Sequence, residues 1–319
     1  MAHRLEKDIN QIVDHIMTDY KQERDIDQVE NFLHPDTEEI VKILEQIRNI
    51  IFPGYYKNPN YRIYTVRNNL SMQLEDVMYN LSKQIAIVLK YLPEYATKEE
   101  KELLYEGEHL TLKFLGKITK IRELIQTDLQ AAYDGDPAAF NKPEIIFSYP
   151  GLFAIMVNRI AHELYLLGVP LIPRMMTEYA HKETGIDIHP GVTLGNYFFI
   201  DHGTGIVIGE TAVIGNNVKI YQGVTIGALS TRGGQKLHGK KRHPTIEDNV
   251  TIYAGASILG GDTVIGHDSV IGGNAFITTS IPSNTRVSIK NQEMEFRKQN
   301  NENRNTSELV QSEEWYYII

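Results

Sequence analysis

Cysteine is absent from the 319 residues. That removes disulfides, thiolate nucleophiles and Cys-type zinc sites together. Basic charge is short as well: 32 Lys and Arg stand against 41 Asp and Glu, net −9 with a pI near 5.7. A nucleic-acid surface needs a clustered basic excess, so no nucleic-acid partner is expected. Long apolar runs are missing. The best stretch, Gly151 to Pro173, is broken by Asn158, Arg159, His162 and Glu163, too polar to span a bilayer. Met1 to Asp19 is too polar for a signal-peptide core. No membrane partner is expected, and the cytoplasm is the expected location. What remains is an ordinary soluble balance, 42% hydrophobic and 23% charged, in a length that fits two domains.

The chain changes character near residue 185. Before it, apolar spacing is helical. Asp36 stands three residues before Glu39, a capping-box arrangement. Ile40, Ile43, Leu44, Ile47, Ile50 and Ile51 then form an amphipathic stripe, stopped by Pro53-Gly54. Leu70 to Leu92 gives a second stripe. Thr97 and Glu100 open a third, which runs to Leu129 and is interrupted only by Gly107 and Thr111. Asp134 to Pro137 is a turn, and Pro150 to Leu167 reads as one more helix.

After Gly185 the period becomes six. Ile188, Leu194 and Ile200 are followed, after a two-residue slip, by Ile208, Ile214, Ile220 and Ile226. A long interruption leads to Ile246, Ile252 and Ile258, and a one-residue slip to Leu259, Ile265, Ile271 and Ile277. Small or branched residues such as Ala212, Val218, Val224, Val250, Ala256, Thr263, Ser269 and Ala275 recur four places on. This is the hexapeptide β-helix repeat: one short strand and one corner per hexad, three hexads per coil. The predicted class is α+β, an N-terminal α-helical domain (1–184) followed by a left-handed parallel β-helix (185–290). A loop, 228–243, is inserted in the β-helix, and 291–319 is expected to be a flexible tail.

Consistent patterns tend to be broken where function intrudes. The slip holds Asp201 and His202; the insertion closes on Arg242 and His243. Fifteen residues separate Asp187 from His202. One coil is about eighteen residues, so the two should lie on adjacent coils near one edge. A carboxylate beside an imidazole orients it and raises its basicity, and such a His can take a proton from an attacking alcohol. For an amino-acid acceptor, Arg242 and His243 suit the carboxylate, Arg through its bidentate fork. Asp201 and Asp136 suit the ammonium.

These residues carry a resemblance. Gly135-Asp136-Pro137-Ala138, Asn158-Arg159-Ile160-Ala161-His162, Asp187-Ile188-His189-Pro190, the run from Asp201-His202-Gly203-Thr204-Gly205 to Gly209-Glu210-Thr211-Ala212, and Arg242-His243-Pro244 are similar to the serine O-acetyltransferase family. The similar stretch runs from about Asp136 to Pro282. The resemblance implies acetyl transfer from acetyl-CoA to L-serine, with no metal, for cysteine biosynthesis. It implies His202 as general base paired with Asp187. It places Asp136, Asp201, Arg242 and His243 in the serine pocket, which L-cysteine would share as feedback inhibitor. It places CoA along the coils near Gly227, Ala254 and Gly272. It also implies a homotrimer or a dimer of trimers, with sites between subunits. The family's Gly-x-Pro-Ala-Arg/Lys cover after the last coil is replaced here by Arg286 to Asn291, leaving Lys290 to meet a CoA phosphate. The tail ends Trp315-Tyr316-Tyr317-Ile318-Ile319. By the same resemblance, Ile319 is the contact for O-acetylserine sulfhydrylase.

Three rivals stand beside this reading. One is a hexapeptide acyltransferase acting on an amino sugar or homoserine. Another is a lyase holding zinc between subunits with His238, His243 and either His202 or His189. The third is a non-enzymatic scaffold that binds through its tail.

Overall fold

The computed structural model describes residues 2–22, 24–27, 34–56 and 65–290. Among them eight helices precede fourteen short strands. The helices are α1 (Ala2–Tyr20), α2 (Thr37–Ile51), α3 (Val66–Leu89), α4 (Glu100–Leu115), α5 (Ile118–Gly135), α6 (Lys142–Ser148), α7 (Pro150–Leu166) and α8 (Ile172–Thr184). The segment 291–319, with Ile319, lies outside the described residues.

Asp36 caps α2, accepting from the Glu38 and Glu39 N–H groups, but the capping box is not completed: the Asp36 N–H donates to Gln84 Oε1 at 2.9 Å instead of to Glu39. All six isoleucines and leucines of that stripe are buried. The third stripe departs from expectation in two ways. It is two helices, because the turn at Gly116-Lys117 ends α4 and α5 begins at Ile118. Its capping box uses Glu99 and Glu102 rather than Thr97 and Glu100. Gly107 is no weak point of α4. A Cβ there would lie 2.4 Å from the Ser82 carbonyl oxygen, so its absence lets α3 and α4 touch backbone to backbone. The buried Thr111 hydroxyl bonds the Gly107 carbonyl and sits 3.2 Å from Ser82 Oγ. The helical spacing before residue 185 also covers α1, whose apolar residues are exposed, the short α6, and α8, which buries Ile172, Met176 and Ala180.

The strands form three parallel sheets, the faces of a prism. Face 1 stacks Asp187–Ile188, Val207–Ile208, Thr225–Gly227, Ser257–Leu259 and Phe276–Ile277. Face 2 stacks Thr193–Leu194, Val213–Ile214, Thr245–Ile246 and Val264–Ile265. Face 3 stacks Phe199–Asp201, Lys219–Tyr221, Thr251–Ile252, Val270–Ile271 and Arg286–Val287. The hexad openers point inward and form one continuous core from Ile188 to Ile277. Leu259 is the exception: Ile258 takes the inward position, paired with Ile226, and Leu259 lies opposite Gly227. The extra residue is absorbed at the next corner by Gly260, φ +106°.

The three edges differ. The edge between faces 2 and 3 is regular. Asn217, Asn249, Asp268 and Asn284 turn it with φ of 56–60°, a conformation Asn and Asp tolerate better than most residues. Their side chains ladder, Asn217 to Asn249 at 3.1 Å and Asn249 to Asp268 at 3.0 Å. The slip falls on the edge between faces 3 and 1, and the insertion on the edge between faces 1 and 2.

One buried ion pair joins the helices to the prism. Arg159 of α7 donates to both oxygens of Asp128 of α5, at 2.6 and 2.7 Å. The same guanidinium reaches the Gly195 carbonyl at 2.8 Å, and Asp128 accepts the Phe198 N–H at 3.0 Å. Both side chains are almost fully buried. Removing one partner of such a pair strands the other charge. Arg159→Leu should therefore lower unfolding stability by about 3 kcal/mol or more, read from denaturant midpoints. An unchanged midpoint would show that the junction does not depend on this pair.

Candidate functional site

The edge between faces 3 and 1 gathers one group of predicted residues. His202 follows the strand Phe199–Asp201 directly and takes φ +58°. Its ring is 60% exposed, and Nε2 lies 3.8 Å from Asp201 Oδ1. A left-handed backbone at an exposed His is unusual and aims the ring off the corner. Asp201 Oδ2 lies 3.5 Å from Lys219 Nζ, and that ammonium donates to the Gly135 carbonyl at 2.7 Å. The next residue, Asp136, accepts the Ala138 N–H at 2.8 Å and the Tyr149 hydroxyl at 2.5 Å. The Tyr149 hydrogen bond outweighs desolvation and holds the Asp136 carboxyl below its ordinary range, with Lys219 and His202 adding to it. Asp136, Asp201 and His202 thus come together. Lys219 and Tyr149, which bind them to one another, carried no motif signal.

Down the same edge runs a column of glycines. A Cβ on Gly205 would meet Gly223 Cα, and one on Gly223 would meet Gly255 Cα, at 3.6 and 3.5 Å. Those are ordinary contact distances, so it is the positive φ of all three, not a clash, that favours glycine there. Ala254 and Gly272 lie on this edge; Gly227 lies at the other, where its strand ends. Lys290 is exposed beyond the last strand.

The edge between faces 1 and 2 holds the second group. Thr211 receives the end of the inserted loop. Its hydroxyl accepts the Arg242 and His243 N–H groups at 2.9 and 3.1 Å, and its carbonyl accepts from Lys241 Nζ at 2.7 Å. Its own N–H donates to His243 Nδ1 at 3.0 Å. A donor there fixes the ring as the tautomer with its proton on Nε2. The ring lies under Gly209, where a Cβ would fall 2.2 Å from it. Arg242 pairs with Glu210. His189 sits on the same edge, with Nδ1 accepting the Gly191 N–H at 3.0 Å.

Asp187 lies on face 1, one coil from the His202 corner, as the spacing implied. Within one chain, among the described residues, no ion pair joins the two. The Asp187 carboxylate instead lies 3.8 Å from Arg174 of α8. Glu178, His181 and Asp187 each place a donor atom within 4.8 Å of the others, but Arg174 pairs with both carboxylates. Of the zinc rival's histidines, His243 and His189 share the edge between faces 1 and 2, each with Nδ1 taken by a backbone N–H, while His238 is exposed in the loop and His202 is on another edge.

A prism of hexad coils, with an exposed imidazole on one edge and an Arg-His pair on the next, describes a hexapeptide-repeat acyltransferase. Comparison with known proteins sharpens that class. No protein-family model matches the chain. A plasmid-encoded serine acetyltransferase of Synechococcus elongatus is 42% identical over 260 residues, covering 80% of this chain and 81% of that one. The crystal structure of Entamoeba histolytica serine acetyltransferase isoform 3 in complex with cysteine superposes with a TM-score of 0.66 at 38% identity. It covers 90% of this chain and 94% of its own. Neisseria gonorrhoeae serine acetyltransferase in complex with serine gives a TM-score of 0.51 at 30% identity, over 77% and 95%. The chain belongs to the serine acetyltransferase family. No single described helix is long and apolar enough to cross a membrane.

Burial, with the Arg242 charge behind it, pushes the His243 pKa down to about 4. The folded state therefore resists a proton that the unfolded chain accepts near pH 6.5. Stability from this group is full above about pH 6.5 and is lost as pH falls toward about 4. The unfolding midpoint of wild type should fall more steeply across that window than that of His243→Gln. Parallel slopes would refute the assignment.

Proposed function

We propose that this chain transfers acetyl from acetyl-CoA to the hydroxyl of L-serine, giving O-acetylserine for cysteine synthesis. The serine oxygen attacks the thioester carbonyl while His202 takes the hydroxyl proton. The tetrahedral adduct collapses, the carbon–sulfur bond breaks, and the CoA sulfur leaves with that proton. Direct transfer needs no nucleophile from the protein. Asp136 and Asp201 take the serine ammonium; Arg242 and His243 take its carboxylate. His202 has Asp201 3.8 Å away and is paired with Asp187 by family resemblance. L-cysteine, with sulfur in place of oxygen, would occupy the same pocket as an inhibitor. The glycine column offers bare backbone for the CoA arm beside Ala254 and Gly272, with Gly227 supplied by a neighbour and Lys290 near a phosphate. Ile319 is assigned to the sulfhydrylase contact by family resemblance alone.

The single observation that carries this reading is the division of the site. The base with its ammonium ligands occupies one edge, and the carboxylate ligands occupy the next. One serine reaches both only if the first edge of one copy packs against the second edge of another. Such a head-to-tail contact closes into a ring, and a three-sided prism suits a trimer.

Thiol release from acetyl-CoA should depend on L-serine, and His202→Ala should reduce it by about 10² or more. Release that ignores serine, or responds to an amino sugar or homoserine instead, would overturn the acceptor.

The shared site has its own test. His202→Ala and Arg242→Ala copies, each nearly inactive alone, should regain activity when co-expressed, because mixed trimers contain one intact edge pair. Mixed trimers no more active than the parents would place both residues in one chain's site.

A further inference from the structure

The last outward position of each face 3 strand forms a column beside the His202 corner. Asp201 lies opposite Tyr221. The pairing of Ile220 with Ile252, and of Ile252 with Ile271, then sets Tyr253 above Tyr221 and Gly272 above Tyr253. The two tyrosine rings stack, with centroids 5.1 Å apart and planes 16° from parallel. Lys219 Nζ lies 4.8 Å from the centroid of the Tyr221 ring, and the Gly135 carbonyl and Asp201 hold that ammonium. The lower ring is therefore tied to the group around Asp201. The upper ring meets no side chain from the next place in the column, because Gly272 has none. Both tyrosines are half-buried. Rings held in this way lose little freedom on binding and offer a flat apolar surface.

We propose that Tyr253, backed by Tyr221, is a binding residue for the acyl donor and takes the dimethyl-bearing carbon of the pantoate unit of acetyl-CoA. The proposal rests on the acetyl-CoA reading given above. Distance selects that part of the donor. The thioester must lie at His202, next to Asp201. Stacked strands are about 4.8 Å apart, so Tyr253 stands about 10 Å above that level. The dimethyl-bearing carbon is about ten bonds from the sulfur, about 12 Å along an extended chain. The amide groups of the arm come earlier, where Gly223 and Gly255 present bare backbone at the corner. The arm thus meets backbone along its polar stretch and a ring at its one branched apolar carbon. The nucleotide lies beyond the rings.

The test compares three acetyl donors. S-acetyl-N-acetylcysteamine ends before the pantoate unit, S-acetylpantetheine includes it, and acetyl-CoA adds the nucleotide. Tyr253→Ala should lower kcat/KM about tenfold with acetyl-CoA and with S-acetylpantetheine, the size of one buried apolar contact. With S-acetyl-N-acetylcysteamine it should stay within about twofold of wild type, as should KM for L-serine. Tyr253→Phe, which keeps the ring, should match wild type with all three donors. Tyr253→Leu, a milder change, should show the same donor pattern at smaller size. An equal fall with all three donors would reduce Tyr253 to a structural role. A fall with acetyl-CoA alone would place the nucleotide on the ring instead, and no fall with any donor would remove the contact altogether; each overturns the proposal. A second readout is independent of the acceptor: calorimetry should show CoA binding about tenfold weaker to Tyr253→Ala than to wild type. If wild type shows no serine-dependent thiol release, the functional reading fails. Equal CoA affinity in the two proteins would sink the ring contact by itself.

Discussion

The Arg159–Asp128 pair is the constraint on which the site depends. A β-helix ends in open strand edges and unsatisfied carbonyls, and a helical bundle ends in apolar faces. Here one guanidinium takes the Gly195 carbonyl and one carboxylate takes the Phe198 N–H, while each neutralises the other. Four hydrogen-bonding demands of a buried junction are met by two side chains. The pair also fixes α7 in rotation and height. Asn158 and His162 therefore fall on the first corner, and Tyr165 on the second. The α5 terminus is held in the same way, and Asp136 is delivered to Lys219 and His202. Buried ion pairs contribute little net stability and much definition of geometry when fully hydrogen-bonded. That is the use made of this one.

The irregularities of the prism follow a division of labour. The edge between faces 2 and 3 never slips and carries an Asn ladder. It has only to turn the chain. The other two edges border face 1; the first gives up regularity once, and the second twice, at the insertion and at Gly260. At the first, two extra residues let His202 swing off the corner. At the second, sixteen residues leave and return so that Arg242 and His243 arrive at Thr211. Stacking is local to neighbouring coils, so one irregular corner need not disturb the next, and Ile208, Ile214 and Ile220 resume the core at once.

Much of this was legible because a six-residue period has no competitor among common folds. The openers and the small residues four places on are inward positions, and the sequence names nearly all of them. Leu259 was misplaced because Ile258 and Leu259 are equally apolar, and only strand pairing decides which faces in. The third helical stripe ran together because Gly116 and Lys117 interrupt the apolar period by too little. The site was legible as residue types but not as partnerships. Lys219 looked like any surface lysine, and Tyr149 like a residue before a helix. Glu210 stood in its motif with no partner in view. Their partners lie elsewhere: Asp201 on the coil below and Gly135 in the helical half for Lys219, Asp136 before α6 for Tyr149, and Arg242 at the end of the inserted loop for Glu210; local pattern records none of these.

Three histidines lie near the two edges, and geometry distinguishes them. A general base needs a ring nitrogen with an open lone pair facing solvent or substrate. His243 accepts the Thr211 N–H at Nδ1, so its proton sits on Nε2. It can donate to a carboxylate and has no lone pair left to offer. Its low pKa points the same way, since a neutral donor beside Arg242 adds directionality without a second charge. His189 is likewise committed at Nδ1, to the Gly191 N–H, and is desolvated. Only His202 has an exposed ring that makes no hydrogen bond among the described residues, with a carboxylate at 3.8 Å. A covalent route would need an activated protein hydroxyl, and the Thr211 oxygen already accepts two backbone N–H groups. On the reading proposed above, the free imidazole of His202 moves the proton and the locked imidazole of His243 reads the substrate.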